Sequence, residues 1–214
     1  MNRKVAFSDS IAGPAEMRDE YTRLPAGKIA AVVTHLEMAA PPRLRPVPPG
    51  TGYELRRAHR PDLGWYRDLY RRVGEEWLWF LRLTLSDTAL AAIIHDPKVA
   101  VHSLRHAGRD AGILELDWRR PPDVEMAFFG VVPDLIGTGA GRFLMNRALE
   151  IAWDRKPRRL TVHTCTLDHP NALAFYLRSG FTPYARSLEI ADDPRVFGLL
   201  PPTAAPHVPI LEGK

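Results

Sequence analysis

The chain has 214 residues, of which 45% are hydrophobic and 25% are charged, and its formal net charge is +4. This composition is typical of one globular domain with a sizeable core and extensions. No run of about 18 apolar residues occurs, and the N-terminus lacks the apolar segment of a signal peptide, so we expect a cytoplasmic protein without a membrane partner. Scattered arginines argue against a nucleic-acid partner. Because Cys165 is the only cysteine, an internal disulfide and a cysteine metal site are excluded, and we expect this side chain in the core.

The first 50 residues are predicted to form an N-terminal extension in three parts. Residues 1–27 are polar and lack periodicity, which is typical of an arm. The segment from Lys28 to Met38 contains an apolar, β-branched run that predicts a strand. This strand could pair with a sheet edge, in this protomer or in another, and it therefore also allows a homodimer. The proline-rich segment from Pro41 to Gly50 predicts a stiff, extended linker, with a ligand role as the alternative.

Residues 51–190 are predicted to form the domain proper, and residues 191–214 a tail packed on it. A helix begins after Pro61 and ends at Gly74, and Ser86 caps a second helix that runs through Ile94. Alternating patterns then predict three antiparallel strands, the first two joined by a turn at residues 108–110. The predicted strands are residues 52–58, 98–105, 111–118, 124–131, 159–166 and 181–190.

A glycine-rich segment between the 124–131 strand and the next helix predicts an anion site. Gly137, Gly139 and Gly141 stand at alternate positions, so side chains leave a run of backbone N–H groups uncovered. The helix that follows adds its own unpaired N–H groups and the positive end of its dipole. A P-loop would need a lysine after the glycines, and a dinucleotide fingerprint would need wider spacing directly after the strand. An ordinary strand-to-helix turn remains the alternative.

Two motifs in this part of the chain resemble the GNAT superfamily of N-acetyltransferases. The first is Val131-x-Pro133 followed by Gly137-x-Gly139-x-Gly141, which is similar to the family's acyl-CoA loop. The second is the family's ending Ala-x-x-x-Tyr-x-x-x-Gly-Phe, which is matched here by Ala172, Tyr176, Gly180 and Phe181. Both stand in the family's order, and the resemblance covers about residues 51–190. It implies an α/β fold with a mixed, mostly antiparallel central sheet flanked by helices, here with an N-terminal extension.

The resemblance implies an enzyme that transfers an acetyl group from acetyl-CoA to a primary amine by direct attack in a ternary complex. The amine must first lose a proton, since a lysine-like amine has a pKa near 10.4. Glu125 matches the place where some protein-acetylating members of the family keep a glutamate base, six residues before Val131. Pairing with Arg119 or Arg120 is the structural alternative for Glu125. The fallback bases are Glu115, Asp117 and His163.

Tyr176 matches the family's general acid by position, and a phenol can protonate the leaving thiolate at neutral pH. A core tyrosine is the alternative. A backbone N–H near Val131 would polarise the acyl carbonyl. The aromatic residues Trp77, Trp79 and Phe80 either shape the acceptor pocket, as the resembled fold implies, or pack in the core.

The resemblance also assigns the residues that would bind the cofactor, with the glycine backbone carrying the pyrophosphate. Ile136 stands where the family usually has Arg or Gln, so we expect Arg142 to supply the missing charge. That departure also keeps open a non-catalytic CoA-binding or interaction module with the same fold. His169 holds the place of a frequent Asn and either contacts the pantetheine arm or caps the helix. No metal is predicted, and the cofactor-binding residues are Phe129, Val131, Ile136, Gly137, Thr138, Gly139, Ala140, Gly141, Arg142 and His169.

Overall fold

Seven strands and four helices make up the part of the chain that the structure, a computed structural model, describes, namely Tyr21 and residues 23–212. The predicted arm over residues 1–27 lies almost wholly outside these described residues. The strands are β1 (Lys28–Met38), β2 (Glu54–Ala58), β3 (Val99–His106), β4 (Arg109–Asp117), β5 (Val124–Val131), β6 (Leu160–Cys165) and β7 (Thr182–Asp192). The α-helices are α1 (Leu63–Gly74), α2 (Asp87–Ile94), α3 (Ala140–Asp154) and α4 (Ala172–Arg178).

All seven strands form one sheet in the order β2-β3-β4-β5-β6-β1-β7. Every neighbouring pair is antiparallel except β5 and β6, which are parallel. The predicted mixed, mostly antiparallel sheet flanked by helices is therefore confirmed. The parallel pair is short, because it joins only Val124 to Leu160 and Glu125 to Thr161. Beyond Glu125 the two strands diverge, and the sheet opens at this point.

Strand β1 lies inside the sheet, between β6 and β7, and the expectation that it joins a sheet edge is wrong. Val33 is opposite Cys165 on one side and opposite Ser187 on the other. Leu36, near the end of the strand, is fully buried in the core. The strand pattern in the sequence does not tell whether β1 pairs with one strand or with two. Its second partner, β7, is more than 140 residues away in sequence, so no local signal indicates that pairing. Since both edges of β1 pair within the chain, it offers no free edge to a second protomer.

Local sequence signals explain where the first helices begin and end. The carboxylate of Asp62 accepts a hydrogen bond from the backbone N–H of Trp65 at the start of α1, and the helix ends at Gly74 as predicted. The hydroxyl of Ser86 accepts from the backbone N–H of Ala89 at the start of α2. Such caps satisfy N–H groups that have no partner inside the helix.

The β3–β4 turn differs from the predicted turn by about one residue. Ala107 and Gly108 both have positive φ, at 49° and 78°, which is the backbone of a two-residue hairpin turn. The second strand of the hairpin consequently begins at Arg109 rather than at Ala111. The right-handed twist of the flanking strands favours this tight turn, and its glycine accepts the left-handed conformation without strain.

The sheet separates two hydrophobic cores. One core packs α3 and α4 against one face and includes Leu144 and Tyr176. The other packs α1 and α2 against the opposite face, and the tail adds Leu200 and Ala205 to it. Within the tail, the buried guanidinium of Arg195 donates to the backbone carbonyls of Ala204, Ala205 and Val208, which fixes the conformation of the tail. Of the helices among the described residues, none has the length and apolar character needed to cross a membrane.

Candidate active site

A cavity of about 440 Å³ opens where β5 and β6 diverge. Residues 126–131 of β5 and 162–165 of β6 line it from opposite sides. Because these stretches do not pair with each other, the backbone groups of β5 that face β6 are free to bind a ligand. The volume is in the range of small-molecule and cofactor sites.

The glycine loop, residues 136–141, forms one end of the cavity. Gly137 and Gly139 have φ of +83° and +96°, in the left-handed region that glycine adopts without strain. The backbone N–H groups of Gly137, Gly139 and Gly141 donate to no acceptor among the described residues, and all three glycines line the cavity. Gly139 is also the N-cap of α3, so the positive end of the helix dipole lies at the same place. This is a fitting site for a phosphate or diphosphate group.

Two predicted cofactor residues hold the loop from behind and do not line the cavity with their side chains. The Thr138 hydroxyl donates to the carbonyl of Leu135 at 2.7 Å and accepts from the Tyr53 hydroxyl at 2.7 Å. Ala140 is fully buried in the core. These contacts fix the loop backbone, while the remaining predicted cofactor residues line the cavity, namely Phe129, Val131, Ile136, Gly137, Gly139, Gly141, Arg142 and His169.

Tyr176, on α4, is one of the residues that line the cavity. It is 7% exposed, and its ring lies against the rings of Phe129, Phe175 and Phe181 at centroid distances of 5.8 to 6.1 Å. The hydroxyl has no hydrogen-bond partner among the described residues. Burial raises the pKa of this phenol well above its ordinary value, and the carboxylate of Asp168 raises it further. The hydroxyl therefore keeps its proton at neutral pH, which is the state that a general acid needs.

Glu125 stands near the start of β5 and does not line the cavity. Its carboxylate lies 3.7 Å from Nδ1 of His163, and both side chains are about 40% exposed. His163 does line the cavity, so Glu125 is in contact with a residue of the cavity wall. Across the next strand, His35 is 6.0 Å from the His163 ring, and burial followed by the charge of His163 lowers the pKa of His35. Only one member of this group, His163, reaches the cavity directly.

The other two fallback bases are held in ion pairs. The buried Glu115 accepts hydrogen bonds from the Tyr66 hydroxyl at 2.6 Å and from the Arg82 guanidinium. Asp117 is paired with Arg119, which is one of the two arginines named as alternative partners of Glu125. Since their oxygens are already occupied, these acids serve the fold. Among the described residues, no group of three or more His, Cys, Asp and Glu side chains is placed to hold a metal ion.

The opposite end of the cavity is aromatic, and we call it the aromatic end. Its walls are Tyr70, Trp77, Trp79, Phe80 and Phe128. The rings of Tyr70, Trp79 and Phe128 lie 4.9 to 5.5 Å from one another, and each belongs to a different segment of the chain. The predicted aromatic stretch is thus part of the cavity wall as well as of the core.

Asp168 connects the aromatic end to β6, and neither of the two sequence motifs includes it. Its carboxylate accepts hydrogen bonds from Trp79 Nε1 at 3.1 Å, from the Thr164 hydroxyl at 2.7 Å and from the backbone N–H of Cys165 at 2.9 Å. With three donors around it, the carboxylate is a fixed negative charge on the cavity wall. The position of Asp168 in the sequence could have indicated this role, because it is an acidic residue directly after the strand that faces the glycine loop.

The remaining predicted residues lie on the cavity rim. Nδ1 of His169 accepts from the backbone N–H of Asn171, the N-cap residue of α4, and the His169 ring lies 5.1 Å from that of Trp77. Cys165, expected in the core, is instead half-buried and lines the cavity. Burial raises the pKa of its thiol to about 11, with Asp168 contributing in the same direction.

Comparison with known proteins places this geometry in a family. The family described as "Acetyltransferase (GNAT) family" matches residues 55–181. A mycothiol acetyltransferase of Beutenbergia cavernae is 31% identical over 121 residues, which are 55% of this chain and 34% of that protein. An uncharacterized N-acetyltransferase of Mycobacterium tuberculosis is 31% identical over 102 residues, which are 48% of this chain and 65% of that protein. This chain therefore spans less than two thirds of either relative.

Solved structures share the fold at low sequence identity. A GCN5-related N-acetyltransferase from Sphaerobacter thermophilus has a TM-score of 0.56 and 18% identity, over 76% of this chain and 52% of that one. A GCN5-related N-acetyltransferase from Kribbella flavida has a TM-score of 0.52 and 14% identity, over 78% of this chain and 60% of that one. The glycine loop and Tyr176 line one cavity, and the family match covers the same residues. The chain therefore belongs to the acetyltransferase (GNAT) family.

Proposed function

We propose that the protein transfers an acetyl group from acetyl-CoA to a primary amine by direct attack of the amine in a ternary complex. The observation that carries the proposal is one cavity that holds a row of unpaired glycine N–H groups, an open backbone edge and the Tyr176 hydroxyl. The first fits a diphosphate, the second fits the amide groups of a pantetheine arm, and the third fits a leaving thiolate.

The backbone at the end of β5 supports the placement of the thioester carbonyl. The N–H of Val132 donates to the carbonyl of Ala111 on the β4 side at 2.9 Å. Because successive N–H groups of a strand point to opposite sides, that of Val131 is directed towards β6 and the cavity. An N–H at this point would stabilise the negative oxygen that develops when the amine attacks.

Two proton transfers complete the proposed reaction. His163 takes a proton from the attacking amine, and Glu125, 3.7 Å from its Nδ1, stabilises the resulting imidazolium. The amine nitrogen then bonds to the carbonyl carbon, and the carbon–sulfur bond breaks. The sulfur leaves as a thiolate and takes the proton of the Tyr176 hydroxyl. The nitrogen passes its second proton to the tyrosinate, and His163 releases the first to solvent, so that free CoA, an amide and one proton are the products.

The aromatic end supports an acceptor that combines an amine with an apolar body. Aromatic ring faces attract a cation, and the fixed carboxylate of Asp168 would attract the protonated amine before it is deprotonated. With its three donors already in place, Asp168 fits this steering role better than the role of base.

Calorimetric titration of the purified protein with acetyl-CoA, CoA and NAD in parallel tests the cofactor, and thiol release with a panel of amines tests the reaction. We expect micromolar binding of both CoA species, no binding of NAD, and amine-dependent thiol release. Binding without thiol release for any apolar, aromatic or polyamine acceptor would favour the non-catalytic module. Absence of binding by either CoA species would contradict the proposal.

A further inference from the structure

The proline-rich linker, residues 41–50, lies across the helices that border the cavity rather than away from them. The side-chain amide of Asn146 on α3 donates to the carbonyl of Arg45 at 2.7 Å. The guanidinium of Arg142, one turn earlier on the same helix, donates to the carbonyl of Pro46 at 3.0 Å. Two side chains of α3 therefore fix the linker backbone at successive residues.

The same linker touches the glycine loop. A Cβ atom added to Gly139 would lie 3.1 Å from Cδ of Pro48, so the proline ring is packed directly against this glycine. The linker thus forms an outer wall where the cavity reaches the N-terminus of α3. The prolines restrict its backbone, so little further ordering is needed when a ligand contacts it.

Arg45 is the linker residue that lines the main cavity. Its side chain is half-buried and pairs with no carboxylate among the described residues. Arg142 and Arg178 line the same cavity, and neither pairs with a carboxylate there. The two carboxylates of the cavity wall, Asp168 and Glu189, both raise the pKa of the Cys165 thiol and form no ion pair with these three arginines. The linker side of the cavity is therefore positively charged.

We propose that Arg45 binds a phosphate of the nucleotide end of CoA, with Arg142 and Arg178 adding charge beside it. This inference rests on the proposed function, because it takes CoA as the ligand. The glycine loop has N–H groups for the diphosphate, whereas CoA also carries a separate 3′-phosphate. A guanidinium suits the second site, since it binds phosphate oxygens with two parallel hydrogen bonds. Arg45 precedes the residues matched to the family, 55–181, so the assignment comes from the linker contacts.

Three variants of the full chain test the assignment, namely Arg45→Gln, Arg45→Lys and, as the matched control, Arg43→Gln. Arg43 lies two residues earlier on the linker, is exposed and does not line the main cavity. None of these changes affects the backbone carbonyl that Asn146 holds. Binding of CoA and of dephospho-CoA is measured by calorimetry at low and high salt, and thermal unfolding checks that the fold is kept.

We expect Arg45→Gln to weaken CoA binding about tenfold at low salt, Arg45→Lys to restore most of it, and Arg43→Gln to leave it unchanged. Loss for CoA alone would place Arg45 at the 3′-phosphate, and equal loss for dephospho-CoA would place it at the diphosphate. Wild-type affinity of Arg45→Gln for both ligands, or tighter binding by it, would overturn the inference and leave the proposed function intact. Failure of the wild-type protein to bind either ligand would overturn both.

Discussion

The glycine-loop end and the aromatic end of the cavity differ in what they are made of and in how far apart their parts lie in sequence. At the glycine-loop end, the backbone N–H groups of three alternate residues, Gly137, Gly139 and Gly141, face the ligand site, and α3 begins inside the same stretch. At the aromatic end, side chains from α1, from the segment after it, from β5 and from the β6–α4 loop come together. A site of backbone groups needs a particular local conformation, whereas a site of side chains needs the whole fold.

This difference separates the two substrates of the proposed reaction. A diphosphate is recognised by N–H groups that any sequence of the right conformation presents, so this end is expected to tolerate changes of side chain but not of backbone. The acceptor is recognised by the sizes of the rings and by one carboxylate, so the other end is expected to change its substrate when single side chains change.

Tyr176 lies between the two ends, and its replacement is expected to have the largest effect. Tyr176→Phe removes only a hydroxyl that makes no hydrogen bond with the described residues, so we expect unchanged unfolding temperature and unchanged acetyl-CoA affinity. Loss of a general acid should lower kcat by about 10²- to 10⁴-fold. Steady-state thiol release and calorimetry on the same preparation check both statements.

Tyr66→Phe is the matched control, since this buried tyrosine is engaged in a structural contact. Its hydroxyl donates to the buried Glu115 at 2.6 Å, and the loss of that donor should cost about 1 to 3 kcal/mol of unfolding free energy. We expect this variant to be less stable and still active at a temperature where it is folded. A Tyr176→Phe enzyme with wild-type kcat would remove Tyr176 from the reaction.

A branched side chain at position 139 should abolish ligand binding at the glycine-loop end and leave the aromatic end unchanged. Gly139→Val forces a β-branched residue to φ near +96° and places its Cβ against Pro48, so both the loop and the linker must move. We expect acetyl-CoA affinity to fall about 100-fold or more, because several N–H contacts lose their geometry together. Calorimetric titration measures the loss.

Gly108→Val serves as the control for backbone strain without a ligand site. Gly108 also has a positive φ, +78°, but it lies in the β3–β4 turn with open space around its Cα. We expect it to lower stability while acetyl-CoA affinity stays at the wild-type value. Equal loss of affinity in both variants would mean that strain, not the loop, explains the effect.

At the aromatic end, Trp79→Phe is expected to weaken the binding of the acceptor amine and to leave that of acetyl-CoA unchanged. The change removes the indole N–H that donates to Asp168 at 3.1 Å and leaves an aromatic ring in the wall. We expect the KM for the amine to rise about tenfold, because the charged Asp168 carboxylate loses one of its hydrogen bonds. The acetyl-CoA affinity should stay the same, because this hydrogen bond lies at the aromatic end and not at the glycine-loop end.

Trp118→Phe is a suitable comparison, because the Trp118 indole N–H has no partner among the described residues and its side chain lies outside the cavity. We expect both kinetic constants of this variant to match the wild type. An unchanged amine KM in Trp79→Phe would place the acceptor elsewhere in the cavity.

The same contrast explains how much the sequence could predict. The glycine loop, the cap at Ser86 and the end of α1 at Gly74 follow from local rules, and the structure has them where the sequence places them. Asp168 could not be assigned, because its role depends on Trp79, which is 89 residues away. Glu125 was chosen by its distance in sequence from Val131, and only the fold shows that it lies beside His163, which lines the cavity.

The N-terminal extension shows the same limit at a larger scale. The strand over Lys28–Met38 and the extended linker follow from composition, but their positions do not. The insertion of β1 between β6 and β7 depends on pairs with residues more than 120 positions away, and no local pattern encodes such a partner. The contact of the linker with α3 likewise joins residues about 100 positions apart.

The smallest expected effect concerns the reactivity of Cys165, which lies on the cavity wall beside Asp168. Burial, with Asp168 acting in the same direction, raises the pKa of its thiol to about 11. Only the thiolate reacts with iodoacetamide, so we expect the alkylation rate to keep rising with pH up to about 11. Asp168→Asn removes the negative charge and should lower this pKa, which increases the rate at pH 8 a few-fold.

Acetyl-CoA should slow the alkylation of Cys165 in the wild type if the pantetheine arm fills the space between β5 and β6. Mass spectrometry of the modified peptide measures both effects, with the denatured protein as the reference for an accessible thiol. A rate that levels off near pH 9 would show that the thiol is not shielded, and the electrostatic role given to Asp168 would then fail. Protection by acetyl-CoA without any effect of Asp168→Asn would instead place the carboxylate too far from the thiol to act on it, and would weaken its assignment to the acceptor amine.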